Sequence, residues 1–456
     1  MSNTVTSAFI DLATFDEIEK YLYNGPTAIT YFVRCVRKST WFSQVPVTLT
    51  QNAGNPEFNG DVAFQISRAG DYLLHVWLRA TLPAVSVQGV SPSGQVPAGI
   101  RWCANVGHNL IDLTWITFND LKVQEFDSYW LDMWTAFTVP ESKRNGYNNM
   151  IGMTTDLTTT SLELPAYTIN VPLPFFFTRD TGIALPTAAL PYNEMRIHFD
   201  FRDWRELLIF DGEAGPQDLV RPNDISLRNV QLWANYAVVS NEERVKMGKC
   251  PRDMVIEQVQ RQGGRAFNAA QTGANASINY DIRFSHSIKA LFWNVANTTV
   301  CNQVNGNQAR EWSNYTTGGV CSAVPQNNQV INGLDGSDPI SVSSLLYEGT
   351  YRLFEMGSDY FSLVQPWFHW TTIPTETGYH VYSYALHPES MDPSASTNYG
   401  KLTNVSLHLT PSPDSIVANE PSSLPGAQAQ QFQVFIRGLN FNIVRVSGGA
   451  LGLPVL

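Results

Sequence analysis

The stretch Met195-Arg-Ile-His-Phe-Asp-Phe-Arg202 alternates apolar and polar residues without a break. A strand turns successive side chains to opposite faces, so this period predicts a sheet with one buried face and one solvated or interfacial face. Met195, Ile197, Phe199 and Phe201 are expected inside, and Arg196, His198, Asp200 and Arg202 outside. Tyr72 to Arg79, ended by Pro83, reads as another strand. So do Val405 to Leu409 and Phe432 to Arg437, the latter interrupted at Gly438 as a bulge or turn would do. The period of two is expected from residue 28 onward.

Helical spacing is scarce. Thr14 with Glu17 spells a capping box, and Phe15, Ile18, Tyr21 and Leu22 continue it until Asn24-Gly25-Pro26. Residues 1–13 read as a short, mildly polar lead. Asp127-Ser128 and Asn241 are placed to cap short helices over Tyr129 to Phe137 and Glu242 to Met247. Short strands separated by Gly, Pro and Asn clusters predict an all-β chain built as sandwiches.

The 456 residues exceed what one core usually holds, so two lobes are expected. Turn-like residues from Asp211 to Pro216 and from Arg221 to Asp224 suggest the break. Each lobe carries a long polar insertion, Ala84 to Ile100 in the first and Asn302 to Pro339 in the second; no close internal repeat is present. Charged residues make up only 15%, so the polar surface must come largely from Asn, Ser, Thr and Gln, which suits strands and surfaces that a neighbour covers. The 12 Trp, 18 Tyr and 24 Phe fit a large β core and, in part, subunit contacts.

The net charge of −11, with no basic cluster beyond Arg34, Arg37 and Lys38, argues against direct nucleic-acid binding. Cys35, Cys103, Cys250, Cys301 and Cys321 form no CxxC and suggest neither a disulfide framework nor a zinc knuckle, although Cys301 and Cys321 flank one loop and could pair. The N-terminus lacks a signal pattern and no apolar run is long enough to span a bilayer, so a soluble, unexported chain is expected.

Catalytic chemistry is present by spelling only. Asp180-Thr181-Gly182 matches the aspartic-protease triplet, and Asp335-Gly336-Ser337 is its only comparable partner. That chemistry needs two carboxylates about 3 Å apart. Arg179 precedes Asp180, where an apolar residue would be needed, and polar residues surround Asp335. A turn at Asp180 and Gly182 between two strands is the plainer reading. His75, His108, His198, His286, His369, His380, His387 and His408 form no HExxH or His-x-His pair. No GxSxG, P-loop or GxGxxG occurs. Glu17 and Glu19 read as exposed helix charges, and no facing acid pair suggests a glycosidase. The acceptor triplets at Asn275, Asn297, Asn314 and Asn404 read as chance matches in an Asn- and Thr-rich chain. No catalytic, cofactor-binding or metal residue is therefore nominated.

Several segments carry a family resemblance. Leu173–Ile197 (LPFFFTRDTGIALPTAALPYNEMRI) closely resembles the major capsid proteins of iridoviruses, among the nucleocytoplasmic large DNA viruses. So do Ser7–Ala13, Tyr31–Arg34, Asn145–Gly152, Ser396–Asn404 and Ser447–Leu456. The resemblance runs from end to end and is nearest to members from invertebrate hosts. It implies two consecutive eight-stranded jelly rolls, at residues 29–215 and 216–456, behind an N-terminal arm at 1–28. It further implies a structural protein of the virion, not an enzyme, made and assembled in host cytoplasm. Its partners would be itself as a homotrimer, neighbouring capsomers, minor capsid proteins and a nearby inner viral membrane. The long loops would crown the outer surface and the arm would lie at the inner base. A carbohydrate-binding jelly roll, with Trp312 and Tyr315 in exposed loops, and an Asp180 hydrolase are the rival readings.

Overall fold

The computed structural model describes residues 3–88, 99–212, 214–274, 276–301, 308–318, 336–420 and 429–454. Internal contacts divide the chain at Trp41/Phe42.

The N-terminal unit holds two helices, α1 (Asn3–Ala13) and α2 (Glu17–Tyr23). The sequence predicted only the second. Thr14 does not cap α2; its hydroxyl donates to the Asp11 carbonyl at 2.7 Å and closes α1. The cap falls two residues later, where the Glu19 carboxylate accepts the Asp16 N–H at 3.3 Å. The expected onset of strands at residue 28 is corrected, for residues 29–41 carry none. Their apolar residues Tyr31, Phe32 and Val33 are consecutive and do not alternate.

The rest of the chain is two consecutive jelly rolls. Nine main strands build the two large sheets of the first: β1 (Phe42–Thr48), β2 (Thr50–Gly54), β3 (Asp61–Gln65), β4 (Tyr72–Leu82), β5 (Ile111–Phe118), β6 (Leu121–Asp127), β7 (Tyr167–Pro172), β8 (Met195–Phe201) and β9 (Arg228–Val239). They form two antiparallel sheets, ordered β1-β9-β4-β7 and β2-β3-β8-β5-β6. Leu49 alone separates β1 from β2, so one run of chain serves both sheets. Pro46 sits in β1, at a sheet edge, where its missing N–H removes no ladder bond from a central strand.

The alternation in β8 is realised: Met195, Ile197, Phe199 and Phe201 are buried, with Arg196, His198 and Asp200 between them. Arg202 departs from it. It lies past the strand end and turns inward, donating to the Asn109 carbonyl at 2.7 Å and the Ser128 hydroxyl at 2.9 Å.

A break at 215/216 was expected, and short 3-10 turns do occupy Pro216–Asp218 and Pro222–Asp224. The chain then returns. β9 pairs with β4 and β1, so strand pairing carries the first lobe to Val239.

The second lobe has eight main strands: β10 (Arg252–Ala266), β11 (Ile278–Ile282), β12 (Ser287–Asn297), β13 (Ile340–Tyr347), β14 (Thr350–Gly357), β15 (His380–Ser383), β16 (Val405–Pro411) and β17 (Phe432–Ser447). Their sheets run β10-β17-β12-β15 and β11-β16-β13-β14. Val405, Leu407 and Leu409 of β16 are buried at every second position. β17 is different, because residues from Phe432 to Asn440 are covered on both faces. Gly438 is no bulge: its pairings to Gln260 and Leu291 continue on both sides. A Cβ there would meet the Phe284 ring at 2.8 Å, so glycine is required by close approach.

One helix explains why β17 is covered twice. α3 (Ser128–Thr138) starts where the Asp127 carboxylate accepts the Trp130 N–H at 3.0 Å. Its residues from Ser128 to Phe137 are all buried, because it lies between the lobes. Tyr129 stacks on Phe435 at 4.0 Å, Trp130 meets Phe292 edge-on at 5.1 Å, and Phe137 packs on Trp370 at 5.6 Å. A helix buried on all sides must satisfy its few polar groups internally, as Asp132 does. These contacts join one side of the β10-β17-β12-β15 sheet to the first lobe's core, while the second lobe keeps a separate core between its own two sheets.

Candidate functional site

The seam between the lobes concentrates the buried chemistry of the molecule. A strap from the second lobe, residues 308–318, lies along the first. Trp312 is clamped between two guanidiniums, Arg202 at 3.7 Å and Arg310 at 3.6 Å from the ring centre, and its Nε1 donates to the Glu206 carbonyl at 3.0 Å. Glu311 pairs with Arg101 and accepts the Ala104 N–H at 3.0 Å. Arg101 also donates to Asp211 at 2.8 Å. The Asn109 amide donates to the Ser313 hydroxyl at 3.0 Å. Asp132 of α3 gathers Tyr315 at 2.9 Å, Tyr379 at 3.3 Å and the Asn105 amide at 2.7 Å.

Further ionic ties cross the seam, among them Arg261 with Glu125 at 2.9 Å. Arg437 of β17 pairs with Asp127 at the start of α3. Glu257 of β10 receives Lys289 and, at 3.1 Å, Arg179 from the first lobe, whose guanidinium lies 3.9 Å over Trp134. Burial pulls the pKa of Arg179 and Lys289 down, and Glu257 opposes this in both. Such pairs hold the lobes in one arrangement, since removing one partner leaves a buried charge unmatched.

A polar cleft of about 120 Å³ opens beside Asp132, with His108, Arg144, Ser313, Glu376 and Tyr379 in its wall. Burial, then the nearby Asp132 and Glu311 carboxylates, raise Glu376 to about 7. Burial likewise raises Tyr315 and Tyr379 well above the usual phenol range.

The strap corrects the reading of Trp312 and Tyr315 as an exposed carbohydrate platform. Tyr315 is 1% exposed, and Trp312 is spent in its guanidinium clamp. It also corrects the assignment of the whole second insertion to an outer crown, because its residues 308–318 are interior to the seam. Residues 89–98 of the first insertion, and 302–307 and 319–335 of the second, lie outside the described residues, as do Asp335 and the Cys301–Cys321 pairing.

Asp180 sits in an exposed turn, its carboxylate accepting the Gly182 N–H ahead of Thr181–Ile183. Among the described residues, no cluster of three or more His, Cys, Asp or Glu has metal-holding geometry. His198 stacks on Trp115 at 4.9 Å, and His380 is buried against Asp338 at 2.9 Å. Asn297 donates to the Thr316 carbonyl at 3.1 Å and the buried Asn314 donates to the Gly318 carbonyl at 2.7 Å, so both triplets are engaged inside the fold. Asn404 is exposed; Asn275 is outside the described residues.

Two family models match, one for the N-terminus of major capsid proteins over residues 30–239 and one for large eukaryotic DNA virus major capsid proteins over residues 243–452. The chain belongs to the large eukaryotic DNA virus major capsid protein family. Among family members, the major capsid protein of Costelytra zealandica iridescent virus is 50% identical, covering 100% of this chain and 99% of its own. That of Tipula iridescent virus is 51% identical, covering 98% and 97%. A solved chain of the PBCV-1 virus capsid shares the fold with a TM-score of 0.75 at 22% identity, over 94% of this chain and 100% of its own. Capsid proteins of this family are structural and self-assemble, and this one is a component of the virion capsid. The two family matches meet between Val239 and Glu243, where β9 ends.

Proposed function

We propose that three copies of this chain form a pseudo-hexagonal capsomer, and that such capsomers tile an icosahedral shell around an internal membrane and a DNA core. The observation that carries this is the seam: two similar jelly rolls are locked in one orientation by α3, the strap and buried ion pairs. Three such rigid pairs present six similar lobes, which approximate sixfold symmetry and pack a plane. Closed symmetry ends growth at the trimer, and weaker contacts between capsomers then act together.

In this reading the first jelly roll spans 42–239, the second 252–456, and the N-terminal unit is an arm that links capsomers or minor capsid proteins near the membrane side. Assembly takes place in host cytoplasm. The net charge of −11 supports a shell that does not bind DNA directly. The reading assigns no catalytic residue, cofactor or metal. Single-particle images of the purified chain are expected to average to threefold particles with six lobes of similar size. Particles of twofold symmetry would overturn it.

A further inference from the structure

We infer that the outer face of the helical segment at residues 358–369, with Leu386 beside it, is a contact surface for a second copy of this chain. This rests on the self-assembly reading and names the residues that would carry one of its contacts.

The segment follows β14. A π-helical turn over Tyr360–Val364 runs into α6 (Gln365–His369), so the Gln365 N–H reaches back to the Tyr360 carbonyl; α4 (Glu141–Ile151) and α5 (Asn241–Lys249) precede it in the chain. Its inner face is fully used. Phe361 packs on Trp293 at 4.8 Å, and Gln365 accepts the Ser383 N–H of β15 at 3.3 Å, covering the edge of that sheet. Its outer face is apolar as well. Leu363 with Trp367, and Val364 with Phe368, stand four residues apart on one side. They are 52%, 71%, 40% and 70% exposed. His369 Nδ1 lies 3.1 Å from the Leu386 carbonyl, which brings the 62% exposed Leu386 alongside.

A helix apolar on both faces is expected to be covered on both. Aromatic side chains such as Trp367 and Phe368 present roughly 150–250 Å² each when fully bared, and their exposed parts together with those of the smaller Leu363, Val364 and Leu386 offer on the order of 500 Å². A standard interface takes about 800 Å² from each partner, so this patch supplies most of one side. Trp and Phe are typical anchors of such contacts, and interface cores are poor in charge. Asp359 is the only charged residue between 358 and 369. An anionic bilayer would require Lys or Arg around an inserted aromatic face, and the chain as a whole is at −11. A second copy, uncharged and apolar at the matching surface, is the occupant these facts favour.

The test is sedimentation velocity over a concentration series on the full chain, for the wild type and for Trp367→Glu with Phe368→Glu. Flotation with vesicles of phosphatidylcholine and phosphatidylserine accompanies it. Both side chains are solvent-facing, so circular dichroism and the melting temperature should match the wild type. Self-association is expected to weaken at least about 100-fold in the double variant, with no vesicle binding by either protein. Leu386→Glu, on a separate segment, should weaken it in the same direction. If the wild type assembles and both variants assemble equally well, the surface is wrong while the capsomer reading stands. If the wild type stays monomeric throughout, the capsomer reading fails, and this inference with it. Flotation of the wild type that is lost in the double variant would assign the face to a bilayer and overturn the proposal.

Discussion

At the residue scale, the seam's polar side chains determine how much freedom the lobes have. Arg437 is the sharpest case. It is 1% exposed and its partner Asp127 lies 310 positions away in sequence. Arg437→Ala would strand the Asp127 carboxylate in the interior and is expected to cost about 3–5 kcal/mol, read as a lower denaturant midpoint at an unchanged slope. Glu376 gives a pH signature. Its folded pKa of about 7 lies above the ordinary 4.5, so the folded state holds the proton more tightly than the unfolded one. Its contribution to stability is therefore full below about pH 4.5 and is lost as pH rises through 7. Each tenfold gain in proton affinity is worth roughly 1.4 kcal/mol, so the loss approaches about 3 kcal/mol. Glu376→Gln should flatten that part of the stability–pH curve, as followed by chemical denaturation from pH 4 to 8; an unchanged curve would remove Glu376 from the account. None of these partners could be read from the sequence. Arg202 and Arg437 look like the polar positions of alternating strands, because a local period carries no trace of a contact made far away along the chain.

At the element scale, strands that bury one face were legible and elements that bury every face were not. β8 and β16 alternate because only one side of each meets a core. β17 and α3 lose their period because the second lobe or the first covers the remaining side. The cap at Asp127 and the helix over Tyr129 to Phe137 are legible in the sequence, but the position between the lobes is not, because it depends on partners such as Phe435, Phe292 and Tyr315 far along the chain. The strap is illegible for a related reason: Trp312 and Tyr315 sit in a polar insertion, and composition reads such a stretch as a surface loop. Gly215-Pro216 and Arg221-Pro222 do make turns, as the sequence suggests, but the chain beyond them leads back to β9, a pairing that local turn signals do not encode. Phe137 tests the role of α3. It contacts Phe292, Trp370 and Tyr379 across the seam, so Phe137→Ala should cost about 3–5 kcal/mol. If the seam unites the lobes, calorimetry should show one transition moving down as a whole. Two separated transitions in the wild type would mean that the lobes melt independently.

At the scale of the whole molecule, similarity to the capsid family fits a body built to hold two sandwiches in fixed register. The N-terminal unit is a separate matter. Its helices leave Val5, Phe9, Leu12, Ile18 and Leu22 exposed, which suits an arm awaiting a neighbour. Deletion of residues 1–41 is expected to leave capsomers intact and to block their joining into sheets or shells, as seen by electron microscopy. Loss of the capsomers themselves would place the arm's role inside the trimer. Trimer formation is read out by the mass of the purified chain in solution, measured by light scattering across a range of concentrations. A trimeric capsomer should appear as a stable species at about three times 50.8 kDa. A strict monomer at high concentration would contradict it.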